Sequence, residues 1–177
     1  EKTAHIDPSP FLGPLIEFIP AGSTILDIGC GSGRDMAWLK SKGFYPEGLE
    51  KSAGMTELAE KKSGCRVTEG DFLTCDFSVY EVDCIILSAC LVHQPHEKLL
   101  SILERVRKAF KKSGYIYLSL KHGEGEKIDD EGRKFYLWKD KDLRTLFSML
   151  YLEPVFYALT SSARGTSEIW LNYILKG

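Results

Sequence analysis

Ile25-Leu26-Asp27-Ile28-Gly29-Cys30-Gly31-Ser32-Gly33 is the stretch on which the fold turns. A short apolar strand runs straight into a turn with glycine at every second position, and Arg34 then opens a helix. Glycines let the backbone approach a ligand closely and adopt positive φ. The carboxyl end of a parallel strand is where open α/β sheets bind ligands. Spacing separates two ligand classes. Dinucleotide folds typically use Gly-x-Gly-x-x-Gly, which brings a pyrophosphate to the helix N-terminus. Here the glycines are Gly29, Gly31 and Gly33, and Asp27 stands two residues before the first. That carboxylate would repel a pyrophosphate and attract a ligand carrying an ammonium group and a sulfonium centre.

Outward from this turn, strand and helix patterns alternate, which predicts a parallel sheet with helices on both faces. Strands are expected at Thr24–Ile28, Tyr45–Glu50, Cys65–Thr68, Val82–Ser88 and Tyr115–Leu120. Helices are expected at Arg34–Lys42, ending at Gly43, and after Ser52 as N-cap, where Met55, Leu58 and Ala59 keep helical spacing. A third, Pro95–Lys111, carries the stripe Leu99, Ile102, Leu103, Val106 and Phe110, with Gly114 closing it. A later helix holds Leu143, Leu146, Phe147 and Leu150. Glu153–Thr160 and Glu168–Leu175 read as an antiparallel hairpin. No repeat or second domain is visible, so residues 1–177 are expected to form one domain. Between the fifth strand and the later helix, 122–138 is Gly-rich and charged, and a loop of that length is expected to be a lid over the acceptor pocket. With Lys121, its His122, Glu124, Glu126, Arg133, Phe135 and Tyr136 would then select a polar substrate, the alternative being a solvated charged loop.

Two further carboxylates favour a nucleoside ligand. Glu50 ends the second strand 19 residues after Gly31 (50 − 31), where an acidic side chain can accept both ribose hydroxyls. Asp71, in Glu69-Gly70-Asp71-Phe72, follows the third strand, suited to an adenine amino group with Phe72 on the ring face. With these motifs in place, the chain resembles class I S-adenosylmethionine (SAM)-dependent methyltransferases, and within them the small type 11/12, or methyltransferase-domain 25, group. The resemblance rests on ILDIGCGSGRD, the acidic end of the second strand, EGDF and KKSGYIYLSL, and covers roughly residues 11–121 plus the final hairpin. It implies a Rossmann-like seven-stranded, mostly parallel sheet of order 3-2-1-4-5-7-6 with strand 7 antiparallel. It also implies SAM as cofactor, with S-adenosylhomocysteine (SAH) as product. Carried over, Gly29, Cys30, Gly31 and Arg34 line the methionine side, Glu50 binds ribose, and Asp71 and Phe72 bind adenine. Asp27, Gly33, Lys51 and Ser88 complete the expected cofactor set. The chain departs from the family's amino-methylating nucleic-acid enzymes after strand four, where Ser88-Ala89-Cys90-Leu91-Val92-His93 replaces an Asn-Pro-Pro-Tyr type of sequence. It also carries Lys112-Ser113-Gly114 in place of the usual Pro-Gly-Gly, and the family often has a SAM-capping helix ahead of the position of Glu1.

Methyl transfer from a sulfonium is an in-line displacement from an activated donor, so orientation and a dry site matter most. A base is needed only if the acceptor must lose a proton. His93, just past the fourth strand, is the first candidate for base or substrate contact; packing under the adjoining loop is its other reading. Lys121 and His122, after the fifth strand, are the second. His93 and His96 have metal-ligand spacing but no evident third ligand, so no metal is expected. Arg164, in the hairpin loop, is read as a partner for an anionic substrate or as a solvated residue. Trp138 and Trp170 are read as packing.

Composition narrows the partners. A net charge of −2 and a pI near 6.1 give no general attraction to nucleic acid or acidic membranes. No apolar run approaches the ~20 residues that span a bilayer. Five cysteines (Cys30, Cys65, Cys75, Cys84, Cys90) without a CxxC pair read as reduced thiols of a cytoplasmic protein. No signal peptide is visible, though a chain opening on Glu1 leaves export open at that end. The expectation is a monomeric or homodimeric methyltransferase acting on a small molecule. A protein or RNA methyltransferase and a non-catalytic SAM-binding regulatory module are the alternatives, and a nicotinamide dehydrogenase is disfavoured by the glycine spacing.

Overall fold

The computed structural model describes residues 3–177. Among the described residues nine strands form: β1 (Thr24–Ile28), β2 (Tyr45–Glu50), β3 (Val67–Glu69), β4 (Val82–Ser88), β5 (Phe110–Lys121), β6 (Glu126–Ile128), β7 (Lys134–Tyr136), β8 (Glu153–Ser161) and β9 (Ile169–Lys176). Seven build one sheet in the order β3-β2-β1-β4-β5-β9-β8. β1 to β5 pair in parallel, and β9 runs antiparallel between β5 and β8. Once the separate β6–β7 pair is set aside, this is the expected 3-2-1-4-5-7-6 sheet. The strand order reverses between β1 and β4, and the crevice there lies at the carboxyl ends of both, where such sheets bind ligands.

Side chains alternate across each strand, so one sheet serves two cores. Leu26, Ile28, Ile85, Leu87, Leu118 and Leu171 pack under α4 (His96–Val106) and α5 (Asp140–Met149). On the opposite face Ile25, Ile86, Tyr117 and Ile174 pack under α1 (Ser9–Leu12), the following short turn of helix, and α2 (Arg34–Ser41). α3 (Ala53–Ser63) joins β2 to β3 and closes on Gly64 in a left-handed conformation. Ser52 sits at the N-cap of α3 but its hydroxyl caps nothing; its carbonyl takes the Met55 and Thr56 N–H groups instead.

Two expectations change. α4 stops at Val106, and the chain is back in the sheet by Phe110, five residues before the expected start of the strand. Gly114 is therefore a strand residue and not a helix cap. Its N–H donates to the Gly177 carbonyl at 3.1 Å, and a Cβ there would stand 2.7 Å from the Asp83 carbonyl oxygen. The second change is in 122–138, where β6 and β7 form a docked hairpin. Tyr136 N–H donates to the Val92 carbonyl and Trp138 N–H to the Lys121 carbonyl, both at 2.9 Å. Phe135 and Trp138 are buried in the main core. These two aromatics anchor a stretch that is otherwise mostly polar.

Among the described residues no helix is long and apolar enough to cross a membrane, and no group of three or more His, Cys, Asp or Glu is placed to hold a metal ion. All five cysteines are free thiols.

Candidate active site

Backbone geometry at the end of β1 sets the site. Gly29 has φ 69°, and a Cβ on it would lie 2.7 Å from the Cys90 Cβ; only glycine lets this turn pass under the β4 loop. Gly33, at φ 74°, brings α2 against α3 so closely that a Cβ would meet the Ala59 carbonyl oxygen at 2.7 Å. Glu50 fastens the turn from the neighbouring strand. Its Oε2 accepts the Gly31 N–H and its Oε1 the Ser52 N–H, each at 3.0 Å.

Above the turn opens a cavity of about 390 Å³, lined by the turn, the ends of β4 and β5, the β8–β9 loop and the N-terminal segment. Asp27 forms part of its floor. It is 2 % exposed, and its Oδ2 has no hydrogen-bond partner. Burial pushes its carboxyl well above the usual range, with the Asp35 charge adding to the effect and Arg34 opposing it. A buried, orphaned acceptor is costly, and a ligand ammonium placed there would satisfy it. Arg34 works on the cover: its Nε pairs with Asp35 Oδ1 at 2.6 Å and its Nη1 donates to the Thr3 carbonyl at 3.1 Å. The guanidinium also lies 5.2 Å from the centre of the Phe11 ring. The N-terminal segment is thereby folded over the cavity, with Ile6 and Phe11 in its wall.

Of the expected cofactor residues, Asp27, Gly29, Cys30, Gly31, Arg34 and Ser88 meet around this cavity. Gly33 serves helix packing. Glu50 touches the cavity only through the turn it holds. Lys51 and Asp71 pair with each other at 2.8 Å, and that ammonium holds the Asp71 carboxyl below the usual range. Asp71 Oδ1 also accepts the Leu73 N–H at 2.9 Å, and Phe72 packs on the main core.

The expected catalytic residues lie elsewhere. His93 is exposed, its Nδ1–H donates to the Lys134 carbonyl at 2.6 Å, and its ring packs 4.4 Å from Phe135. His96 does the same at the other end of β7, donating Nε2–H to the Leu137 carbonyl at 2.7 Å. Both histidines thus fasten β6–β7. Lys121 is buried, ion-paired with Glu168, and its ammonium sits 3.5 Å from the centre of the Phe135 ring. His122 is exposed, with its backbone N–H on the Ile169 carbonyl. None of His93, Lys121 or His122 lines the cavity, and neither does any residue of 122–138. The hairpin packs beyond the carboxyl ends of β4 and β5, and the N-terminal segment and the β8–β9 loop wall the cavity.

Sequence reasoning missed the far wall. Tyr117 and Ser119 on β5, Thr160 on β8 and Asn172 on β9 line it, as does Trp170, which had been read as packing. The alternation of small polar residues at one end of otherwise apolar strands was the available signal.

Residues 25–114, 90 of the 177, match the model of a family described as a methyltransferase domain. By sequence the chain is 30% identical over 98 residues to an uncharacterized methyltransferase of Bacillus licheniformis. That match covers 54% of this chain and 46% of the relative, so the chain spans a little under half of that protein's length. Among solved structures, a SAM-dependent methyltransferase from Methanosarcina mazei superposes with a TM-score of 0.79 at 20% identity, over 92% of this chain and 96% of that one. The 1,6-didemethyltoxoflavin-N1-methyltransferase of Burkholderia thailandensis, solved with 1,6-didemethyltoxoflavin and S-adenosylhomocysteine, also scores 0.79, at 17% identity over 94% and 76% of the two chains. At these identities the superpositions establish a shared fold.

Proposed function

The chain belongs to the methyltransferase-domain family, and from that premise we propose that it is an enzyme transferring a methyl group from SAM to a small-molecule acceptor. The observation that carries the reading is the orphaned Asp27 Oδ2 on the cavity floor beside the three-glycine turn. Asp27 would hold the methionine ammonium. Glu50 would offer its remaining lone pairs to the ribose, and Asp71 and Phe72 would serve the adenine. Bound there, SAM supplies an electrophilic methyl group on a leaving sulfur. The chain's own work is orientation and exclusion of water: Phe11 and Ile6 cover the cavity, and Glu50 fixes the Gly31 amide.

A small acceptor is favoured by the size of the cavity, about 390 Å³, and by walls on both sides of it. The acidic net charge of −2 disfavours a nucleic-acid acceptor. Residues 1–177 would act as one domain. Calorimetry with SAM, SAH and NAD tests the cofactor, and labelled SAM with metabolite extracts tests transfer. Binding of SAM and SAH without NAD, and label appearing in a small product, are the expected results. NAD binding without SAM binding would sink the reading.

A further inference from the structure

The wall of the cavity opposite the glycine turn is built from neutral groups. Tyr117 O–H donates to Asn172 Oδ1 at 2.8 Å, and Asn172 Nδ2 donates to Thr160 Oγ1 at 3.0 Å. Tyr117 is 1 % exposed and burial pushes its phenol up, so the chain of hydrogen bonds is uncharged. Ser119 Oγ accepts the Ala89 N–H at 2.9 Å, which steadies Ala89 at φ 56°, a backbone conformation an alanine rarely takes. The indole of Trp170 adds an aromatic surface to the same wall.

One cation faces this wall. Arg164, in the β8–β9 loop, lines the cavity, and its guanidinium has neither a hydrogen bond nor an ion pair among the described residues. Its backbone N–H alone is engaged, on Ser162 Oγ at 3.3 Å. Arg34, across the cavity, is already committed to Asp35 and Thr3. The lysine nearest this wall in sequence, Lys121, is committed to Glu168. The wall therefore carries an uncommitted fork of N–H donors, a flat aromatic surface and neutral hydroxyls, and no free base.

We infer that the acceptor is a small aromatic or heteroaromatic acid, its anionic group held by Arg164 and its ring placed against Trp170. The inference rests on the methyltransferase reading above and deepens it. A guanidinium favours planar anions and repels cationic amines. With no base on the wall, the methylated atom supplies its own lone pair: the new bond to carbon forms as the carbon–sulfur bond breaks. The electron pair of that broken bond leaves on sulfur, giving a neutral thioether, and no proton passes to the protein.

The test is calorimetry on the full chain saturated with SAH, with nicotinate, nicotinamide, benzoate and cyclohexanecarboxylate as probes. Nicotinate is expected to bind about tenfold or more tightly than nicotinamide, since a charge-assisted hydrogen bond separates them. Benzoate is expected to bind more tightly than cyclohexanecarboxylate. Arg164→Gln should erase the acid–amide difference, Arg164→Lys should keep part of it, and SAH affinity should not change in either variant. Absence of binding by both aromatic acids at millimolar concentration, equal affinity for acid and amide, or discrimination that survives Arg164→Gln would each overturn the inference. Failure of SAH itself to bind is a separate observation and would overturn the methyltransferase reading first.

Discussion

Asp27→Asn should make the protein more stable and a poorer binder at once. The substitution keeps shape and removes the charge from a side chain that is 2 % exposed and whose Oδ2 has no partner. A hydrogen bond to a charged group is worth roughly 1.5–3 kcal/mol. At 1.36 kcal/mol per tenfold, losing the ammonium–carboxylate contact should weaken SAH binding by about 10- to 150-fold. Stability moves the other way where Asp27 is ionised, because an uncompensated buried charge costs more than the neutral amide that replaces it. For a chain of this size each kcal/mol shifts Tm by about 2–4 °C, so a difference of about 1–3 kcal/mol should raise Tm by roughly 2–12 °C at neutral pH. The folded carboxyl titrates well above its unfolded value, so its favourable contribution is complete below the unfolded range and is lost as pH rises through the raised value. The Tm gap between variant and wild type should therefore widen from acid toward neutral pH. Ionised Asp27 is the form that pairs with an ammonium, so SAH binding to the wild type should strengthen over the same interval. It should also release a proton, measurable by calorimetry in buffers of different ionisation enthalpy. A variant that binds SAH as tightly as wild type, or that is no more stable at neutral pH, would refute the assignment of Asp27 as the ammonium partner.

Other perturbations separate packing from chemistry. Gly33→Ala should destabilise by about 2–4 kcal/mol, since its Cβ would meet Ala59 at a positive φ, and a Tm within a degree of wild type would contradict the close α2–α3 contact. Lys121→Met should lower stability by about 2 kcal/mol by leaving Glu168 unpaired, and should speed protease cleavage within 162–168 while leaving SAH affinity unchanged. Unaltered cleavage would mean that the ion pair does not hold the loop. His93→Gln should keep both turnover and the pH–rate profile, because its ring fastens the β6–β7 hairpin away from the cavity. A loss of the ~10²–10⁴-fold that a general base contributes would place His93 back in the chemistry.

The parts of the molecule legible beforehand are those governed by local pattern. The alternation of apolar strands and helices, the glycine turn and the final hairpin are short-range signals that predicted the elements, while the observed strand order is the one the family resemblance implies. The floor of the cavity followed because Asp27, Gly29 and Gly31 are neighbours in sequence. The far wall was hidden because its members meet only through strand pairing: Tyr117 and Asn172 stand 55 residues apart. Composition misled at 122–138, where Phe135 and Trp138 outweigh a polar majority by burying themselves in the core. It misled again at Phe110, which closes a helical stripe in sequence yet pairs with Val82 in the sheet. His93 and His96 have the look of site residues, but each is satisfied by a backbone carbonyl of the hairpin.

The place of β9 has a consequence for how the chain is made. β9 is inserted between β5 and β8, so it is synthesised after both of the strands it joins. The 47 residues from 122 to 168 must leave the ribosome before the outer edge of β5 can be covered. At about 5–20 residues per second that is roughly 2–9 s during which Phe110–Lys121 presents open backbone donors and acceptors. β8, with no charged side chain after Glu153, waits beside it without a partner. The nascent chain is thus most exposed to strand-to-strand misassociation after the five parallel strands have been made and before β9 emerges.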